Sequence, residues 1–230
     1  YGDPHESLNF LEIQRSFRKL KIYRDHPKNV QFLIDLMLRT QRSLSGVDAE
    51  KIKDLYGKIP PYRASYRKTL EKDPYRVAQG IREIYEMGQH QYLGHIAGYK
   101  DHPNLYVRRE AQIGLVVFMG WDSLRFLPYL DREMELWQQI KIVEKLYDLY
   151  PIPDNEILRK AFDSDKPYAN ELIMRIIRKF DLKEDLHYII KFLDSPVFDT
   201  RESAIYCISS FRLTSIQLKE VQEKFFHIPN

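Results

Sequence analysis

His102 to Phe118 reads HPNLYVRREAQIGLVVF, an amphipathic run with apolar residues at helical spacing. It is one copy of a unit that the chain repeats. Stepping 31 residues in both directions from Leu115 meets Ile84, Leu115, Leu146, Ile177 and Ile208. The same step from Phe118 meets Met87, Phe118, Leu149, Phe180 and Phe211, and a third series, Gly80, Ala111, Ile142, Ile173 and Ala204, holds only small or aliphatic residues. The three columns lie three or four residues apart, the separation that puts them on one face of a helix. In a chain that is 43% hydrophobic, columns that never break exceed what composition alone supplies. The stretch is therefore expected to be the first helix of a repeated helix-turn-helix, with Gly120 as its stop and Asp122 starting the second helix.

Outward from there, apolar residues recur at helical spacing almost everywhere, and no convincing stretch alternates strictly as a half-buried strand would. The fold class is all-α. Before the repeats, Phe10, Ile13, Phe17 and Leu20 share one helix face. Val30, Leu33, Ile34, Met37 and Leu38 share another after His26-Pro27, where proline suits a first helical turn. Ile52, Leu55 and Tyr56 mark a third, shorter helix that Gly57 and Pro60 end. The expected organisation is a helical lead-in or cap over residues 1–60, a connecting segment over 61–72, and about five repeats over 73–228, all in one continuous domain.

Composition narrows the function classes. Over 230 residues the net charge is +3, a small surplus for a chain that is 30% charged, so nothing marks a dedicated nucleic-acid binder. The single cysteine, Cys207, leaves no intramolecular disulfide, no paired-cysteine zinc site and no dithiol redox pair. With no Asn-x-Ser/Thr sequon, this leans toward a reducing, cytoplasmic setting. No run of about 18 apolar residues occurs, although a chain opening at Tyr1 leaves room for an upstream signal or membrane anchor. No nucleotide-binding, zinc-protease or hydrolase signature appears, and no catalytic, cofactor or metal residue is assigned. His90 and His95, five apart, fall on different helix faces and do not pair as ligands. Trp121 and Trp137 are expected to fill space between helices, and the helical tyrosines, Tyr85 among them, to pack with the hydroxyl at the surface.

DHPNLYVRREAQIGLVVF, followed by DSLRFLPYL, resembles a HEAT repeat: a proline opens the first helix, Arg108 lies near its first turn, Ala111 one turn on, and a leucine-rich second helix follows. DSPVFDTRESAIYCISSF resembles it again through Pro196, Arg201 and Ala204, and the likeness extends over roughly Asp73 to Phe226. The unit is shorter than the ordinary HEAT period of about 40 residues and is similar to the compact bacterial variety. The order VRREAQIGLV, FLPYLDREMELWQQI and then a looser unit is similar to HEAT domains of bacterial single-span membrane proteins often accompanied by a glycosyltransferase. The resemblance implies an α-solenoid of stacked helix pairs with a right-handed superhelix. It also implies a non-enzymatic scaffold for a protein partner, such as a membrane-associated glycosyltransferase, tethered to a membrane through a segment before Tyr1.

Stacked pairs make a long concave face, and second-helix residues in the repeat register are the expected contacts: Arg125, Glu156 and His187 in one row, Tyr129, Lys160 and Lys191 in the other. Arg108 and Arg201 are expected to pair with acidic groups of the adjacent repeat rather than with a ligand. RSFRKLKIYR and Tyr62 to Lys68 are the most basic aromatic stretches and could lie on anionic lipid. The alternative function is a HEAT-like DNA glycosylase of the alkylpurine class, for which Trp121, Asp122 and Arg125 supply suitable residue types, or another nucleic-acid-binding solenoid.

Overall fold

The structure, a computed structural model, describes residues 15, 27–59, 61–149, 156–162 and 166–226. The expected helix through Phe10, Ile13, Phe17 and Leu20 lies outside them. Every regular element among the described residues is helical: α1 (Pro27–Ser43), α2 (Val47–Lys58), α3 (Pro61–Lys68), α4 (Pro74–Glu86), α5 (Leu93–Ala97), α6 (Leu105–Met119), α7 (Leu136–Tyr147), α8 (Glu156–Phe162), α9 (Pro167–Lys179), α10 (Leu186–Ile190), α11 (Phe198–Ser209) and α12 (Ser215–Phe226). Short 3-10 segments cover His90–Tyr92, Gly120–Tyr129, Lys183–Asp185 and Lys191–Asp194. The chain forms two compact units, Tyr1–Gly114 and Leu115–Asn230.

The register of 31 residues shows in how the helices begin and end. Asp73 Oδ1 accepts from the Tyr75 backbone N–H at 3.0 Å, and at the matching position Asn104 Oδ1 accepts from Tyr106 N–H at 3.0 Å. Both side chains occupy donors that a helix start would otherwise leave unpaired. α4 ends in a left-handed residue at Gly88 (φ 62°) and α9 at Asp181 (φ 56°). Each is followed by a backbone bond five residues back, Gln89 to the Ile84 carbonyl and Leu182 to the Ile177 carbonyl. The same Schellman stop thus recurs.

Two of the three columns are buried without exception: Ile84, Leu115, Leu146, Ile177 and Ile208, and Gly80, Ala111, Ile142, Ile173 and Ala204. Gly80 is required by close approach, since a Cβ there would stand 2.6 Å from the Ser65 carbonyl oxygen on α3. The third column lies nearer the edge: Met87 is buried, Phe118, Phe180 and Phe211 are half-buried, and Leu149 is exposed.

Four expectations are corrected. Gly120 (φ 57°) does stop α6, but the segment after it is 3-10 throughout, with Pro128 inside it. Proline lacks the N–H that an α ladder needs. Arg108 and Arg201 do not reach an acid of the next repeat: Arg108 Nη1 donates to the His102 carbonyl at 2.9 Å and Arg201 Nη1 to the Ser195 carbonyl at 2.6 Å. Each arginine fastens the turn that leads into its own helix. Trp121 is buried, whereas Trp137 is 52% exposed with the Lys141 ammonium 4.8 Å from its ring. The Tyr85 hydroxyl is buried rather than solvated and donates to Glu110 Oε2 at 2.8 Å.

In the first unit, α1, α2 and the end of α4 enclose Leu33, Ile34, Met37, Leu38, Tyr56, Ile59 and Met87. The segment 61–72 contributes α3, whose Ser65 and Lys68 are buried. Lys68 Nζ lies 2.5 Å from Glu83 Oε2 on α4, and the carboxylate also accepts from Ser65, from Gln31 on α1 at 3.0 Å and from Gln79 at 2.9 Å. Tyr56 OH, on α2, closes the chain at 2.6 Å from Ser65 Oγ. One buried carboxylate therefore ties four helices, and every donor it needs is present. In the second unit α9 is central and packs on α7, α8 and α11, around a core that includes Trp121, Leu146, Leu158, Ile173, Ile177 and Ile189.

Candidate functional site

Of the six second-helix positions, four meet. The segment Gly120–Tyr129 packs on α8, and between them lies a cleft of about 280 Å³ whose lining includes Arg125, Tyr129, Glu156 and Lys160, with Leu124 and Ile157 beneath. The 3-10 segment brings Arg125 and Pro128 to the cleft together because side chains three apart eclipse in that geometry. Tyr129 is 73% exposed. Its side chain stands at the rim, while Leu124 is buried and lies at the floor.

The charges around the cleft are paired locally and stay in water. Arg125 Nε is 3.1 Å from Asp122 Oδ1, and Lys160 Nζ is 2.9 Å from Glu156 Oε1, with all four side chains at least 60% exposed. Exposed pairs of this kind stabilise a fold little and are readily exchanged for a partner's charges. His187 and Lys191 are not on this cleft. His187 Nδ1 stands 2.9 Å from the Glu184 carbonyl and its ring 3.9 Å from that of Tyr188, while the Lys191 ammonium lies 5.2 Å from the Phe192 ring. The repeat register aligned the six by sequence; His187, on α10, and Lys191, just after it, are not among the residues that line the cleft.

The residue types considered for base excision are arranged differently from that use. Trp121 donates its Nε1–H to the Leu149 carbonyl at 3.2 Å and meets Phe180 edge-on at 5.1 Å between centroids. Its faces are occupied by the core, and Asp122 is held by Arg125. His95 Nε2 is 2.7 Å from Thr69 Oγ1, and burial pushes its pKa below the ordinary histidine value. Among the described residues no three His, Cys, Asp or Glu side chains are placed to hold a metal ion, and no helix is long and apolar enough to cross a membrane.

One exposed aromatic set escaped the sequence reading. Tyr75, Tyr106 and Trp137 occupy the same position at the start of successive first helices, one step of 31 apart. They are 63%, 45% and 52% exposed, and the rings of Tyr75 and Tyr106 lie 4.9 Å apart. Extending the column search to exposed positions, rather than to apolar ones alone, would have found it. Comparison of the chain with family models, with curated proteins and with solved structures finds no match.

Proposed function

We propose that the chain is a non-enzymatic protein-interaction scaffold: a HEAT-like α-solenoid of stacked helix pairs, with a right-handed superhelix, that holds a protein partner against its second helices. The observation that carries this reading is the convergence of Arg125, Tyr129, Glu156 and Lys160 on one cleft. An exposed aromatic ring beside a small apolar floor, ringed by loosely paired charges, is the composition of a contact patch with a polar rim. The carboxylates of Glu83 and Glu110 are buried and spend their hydrogen bonds tying helices together. A position at the cytoplasmic face of a membrane, and a membrane-associated glycosyltransferase as the partner, belong to the same proposal and rest on the HEAT resemblance.

Affinity capture of the protein from its own cells in mild detergent, with retained proteins read by mass spectrometry, tests the reading. One recurrent membrane enzyme is the expected catch. It should be lost from a Tyr129→Ala, Lys160→Glu variant whose melting is unchanged, because substitutions at exposed sites alter stability by only about 0.5 kcal/mol. Changing Lys191 to Glu as well should add little if the cleft alone holds the partner. Unchanged capture by the double variant refutes the assignment of this face. A catch consisting only of nucleic-acid proteins, lost on nuclease treatment, refutes the protein-scaffold reading.

A further inference from the structure

In the first unit the facing sides of α4 and α6 are joined by an ion pair made within the chain. Arg82 Nε donates to Glu110 Oε2 at 3.1 Å, Arg82 Nη2 donates to Oε1, and the Tyr85 hydroxyl donates to Oε2 at 2.8 Å. Three steps of 31 residues carry Arg82, Tyr85 and Glu110 to Arg175, Arg178 and Ser203. The arginine is retained, the tyrosine has become a second arginine, and the carboxylate is gone. At that place, between α9 and α11, a cleft of about 380 Å³ opens, lined by all three residues.

Among the described residues neither Arg175 nor Arg178 has a carboxylate within ion-pair distance; Arg175 gives its Nε–H to Gln139 Oε1 at 2.9 Å. The electrostatics of the two grooves differ accordingly. Arg82 is held above its ordinary pKa, first by its hydrogen bond to Glu110. Arg175 is pushed below its own, first by burial, with the charge of Arg178 pressing the same way against the opposing pull of Glu171 and Glu202. Glu202 is the one acid among the residues that line the cleft, beside the two arginines, and Glu171 acts on Arg175 from outside that lining.

The rest of the lining, Leu136, Met174, Tyr206 and Cys207, is largely apolar. Met174 and Cys207 are buried, and burial pushes the Cys207 thiol up to about 12, so it stays protonated and packs as a small hydrophobe. Leu136 and Tyr206, 53% and 57% exposed, stand at the rim.

We propose that this cleft receives an aspartate or glutamate side chain of a partner protein, whose carboxylate fills the role that Glu110 fills within the chain, with an adjoining apolar side chain of the partner laid on Leu136 and Tyr206. A monocarboxylate suits the site better than a phosphate because Glu202 opposes a second negative charge, and because the apolar rim offers nothing to a bare ion. Paired guanidinium groups and a carboxylate make the short, charge-assisted bonds that specify such contacts. The site lies on the first helices and stands whether or not the second-helix cleft binds.

The test is a nuclear magnetic resonance titration of the whole chain with three probes: the capped peptide acetyl-Phe-Glu-Leu-amide, its glutamine counterpart, and inorganic phosphate. The glutamate peptide should shift the Met174 methyl and the Arg175 Nε–H signals saturably, and the glutamine peptide should bind about tenfold more weakly, the size of one charged hydrogen bond. Ser203→Glu supplies the missing carboxylate from within; it should abolish peptide binding and melt no lower than the parent. Arg178→Gln, at an exposed position, should also lose binding and keeps the test standing if the first variant misfolds. Equal binding of the glutamine peptide, phosphate binding as strong as that of the glutamate peptide, silence at Met174 with every probe, or undiminished binding in a folded Ser203→Glu chain would each overturn the proposal.

Discussion

Replacing Glu110 by serine would remove the carboxylate from the α4–α6 groove, as it is missing from the α9–α11 groove, and its cost can be worked from the contacts. The Glu110 side chain is 6% exposed and Arg82 51%. The Tyr85 hydroxyl is buried and loses the acceptor it has among the described residues, which costs about 1–3 kcal/mol. The Arg82 guanidinium can turn to water, so its lost ion pair adds at most about 1 kcal/mol after screening. Relief from burying the carboxylate returns part of this, and the expected net destabilisation is about 2 kcal/mol. The assay is hydrogen exchange on peptides covering α4 and α6, which reads local stability directly. Adding Tyr85→Phe should recover about 1 kcal/mol by removing the orphaned hydroxyl. Formate should rescue the single variant in a concentration-dependent way, by about 1.4 kcal/mol at ten times its dissociation constant. Protection equal to that of the parent, or no rescue by formate together with no recovery in the double variant, would refute the view that one carboxylate closes this groove.

Three more outcomes follow from the packing. Lys68→Met leaves Glu83 buried with only neutral donors and should destabilise α3 and α4 by about 3 kcal/mol, while Lys68→Met with Glu83→Gln returns most of the loss; urea titration of both against the parent checks it. Ala111→Asp places an unpaired charge at a fully buried position and should abolish cooperative melting of its unit, so a parent-like melt by circular dichroism would mean the repeat register is wrong. At alkaline pH, Tyr56 and Tyr85 hold their protons in the folded chain because burial, with Glu83 and Glu110 nearby, raises their pKa values. The unfolded chain releases those protons near pH 10, binds fewer protons than the native state, and so stability falls as pH rises from there, by up to about 1.4 kcal/mol per pH unit for each tyrosine. Tyrosinate absorbance and circular dichroism should then show these two phenols ionising only as the chain unfolds; ionisation ahead of unfolding would count against their burial.

What the sequence by itself determined is what a repeat writes into every copy. The helical period and the step of 31 residues placed Ile84, Leu115, Leu146, Ile177 and Ile208 on buried faces, while local signals marked Pro27 as a helix start and Gly120 as a stop. Those features depend on local geometry, in which each residue's neighbours are its own chain a few positions away. Tertiary structure alone decided what lies opposite. Arg108 turns back to the His102 carbonyl, and Trp121 is enclosed while Trp137 is left in water. Lys160 shares a cleft with Tyr129 and Lys191 does not. The clearest case is the pair of grooves: Arg82 and Arg175 sit at the same repeat position, yet one meets a carboxylate across the groove and the other an open cleft. Whether a charge is paired depends on a side chain from another helix, about 28 residues away in sequence, and helical periodicity carries no record of that distance.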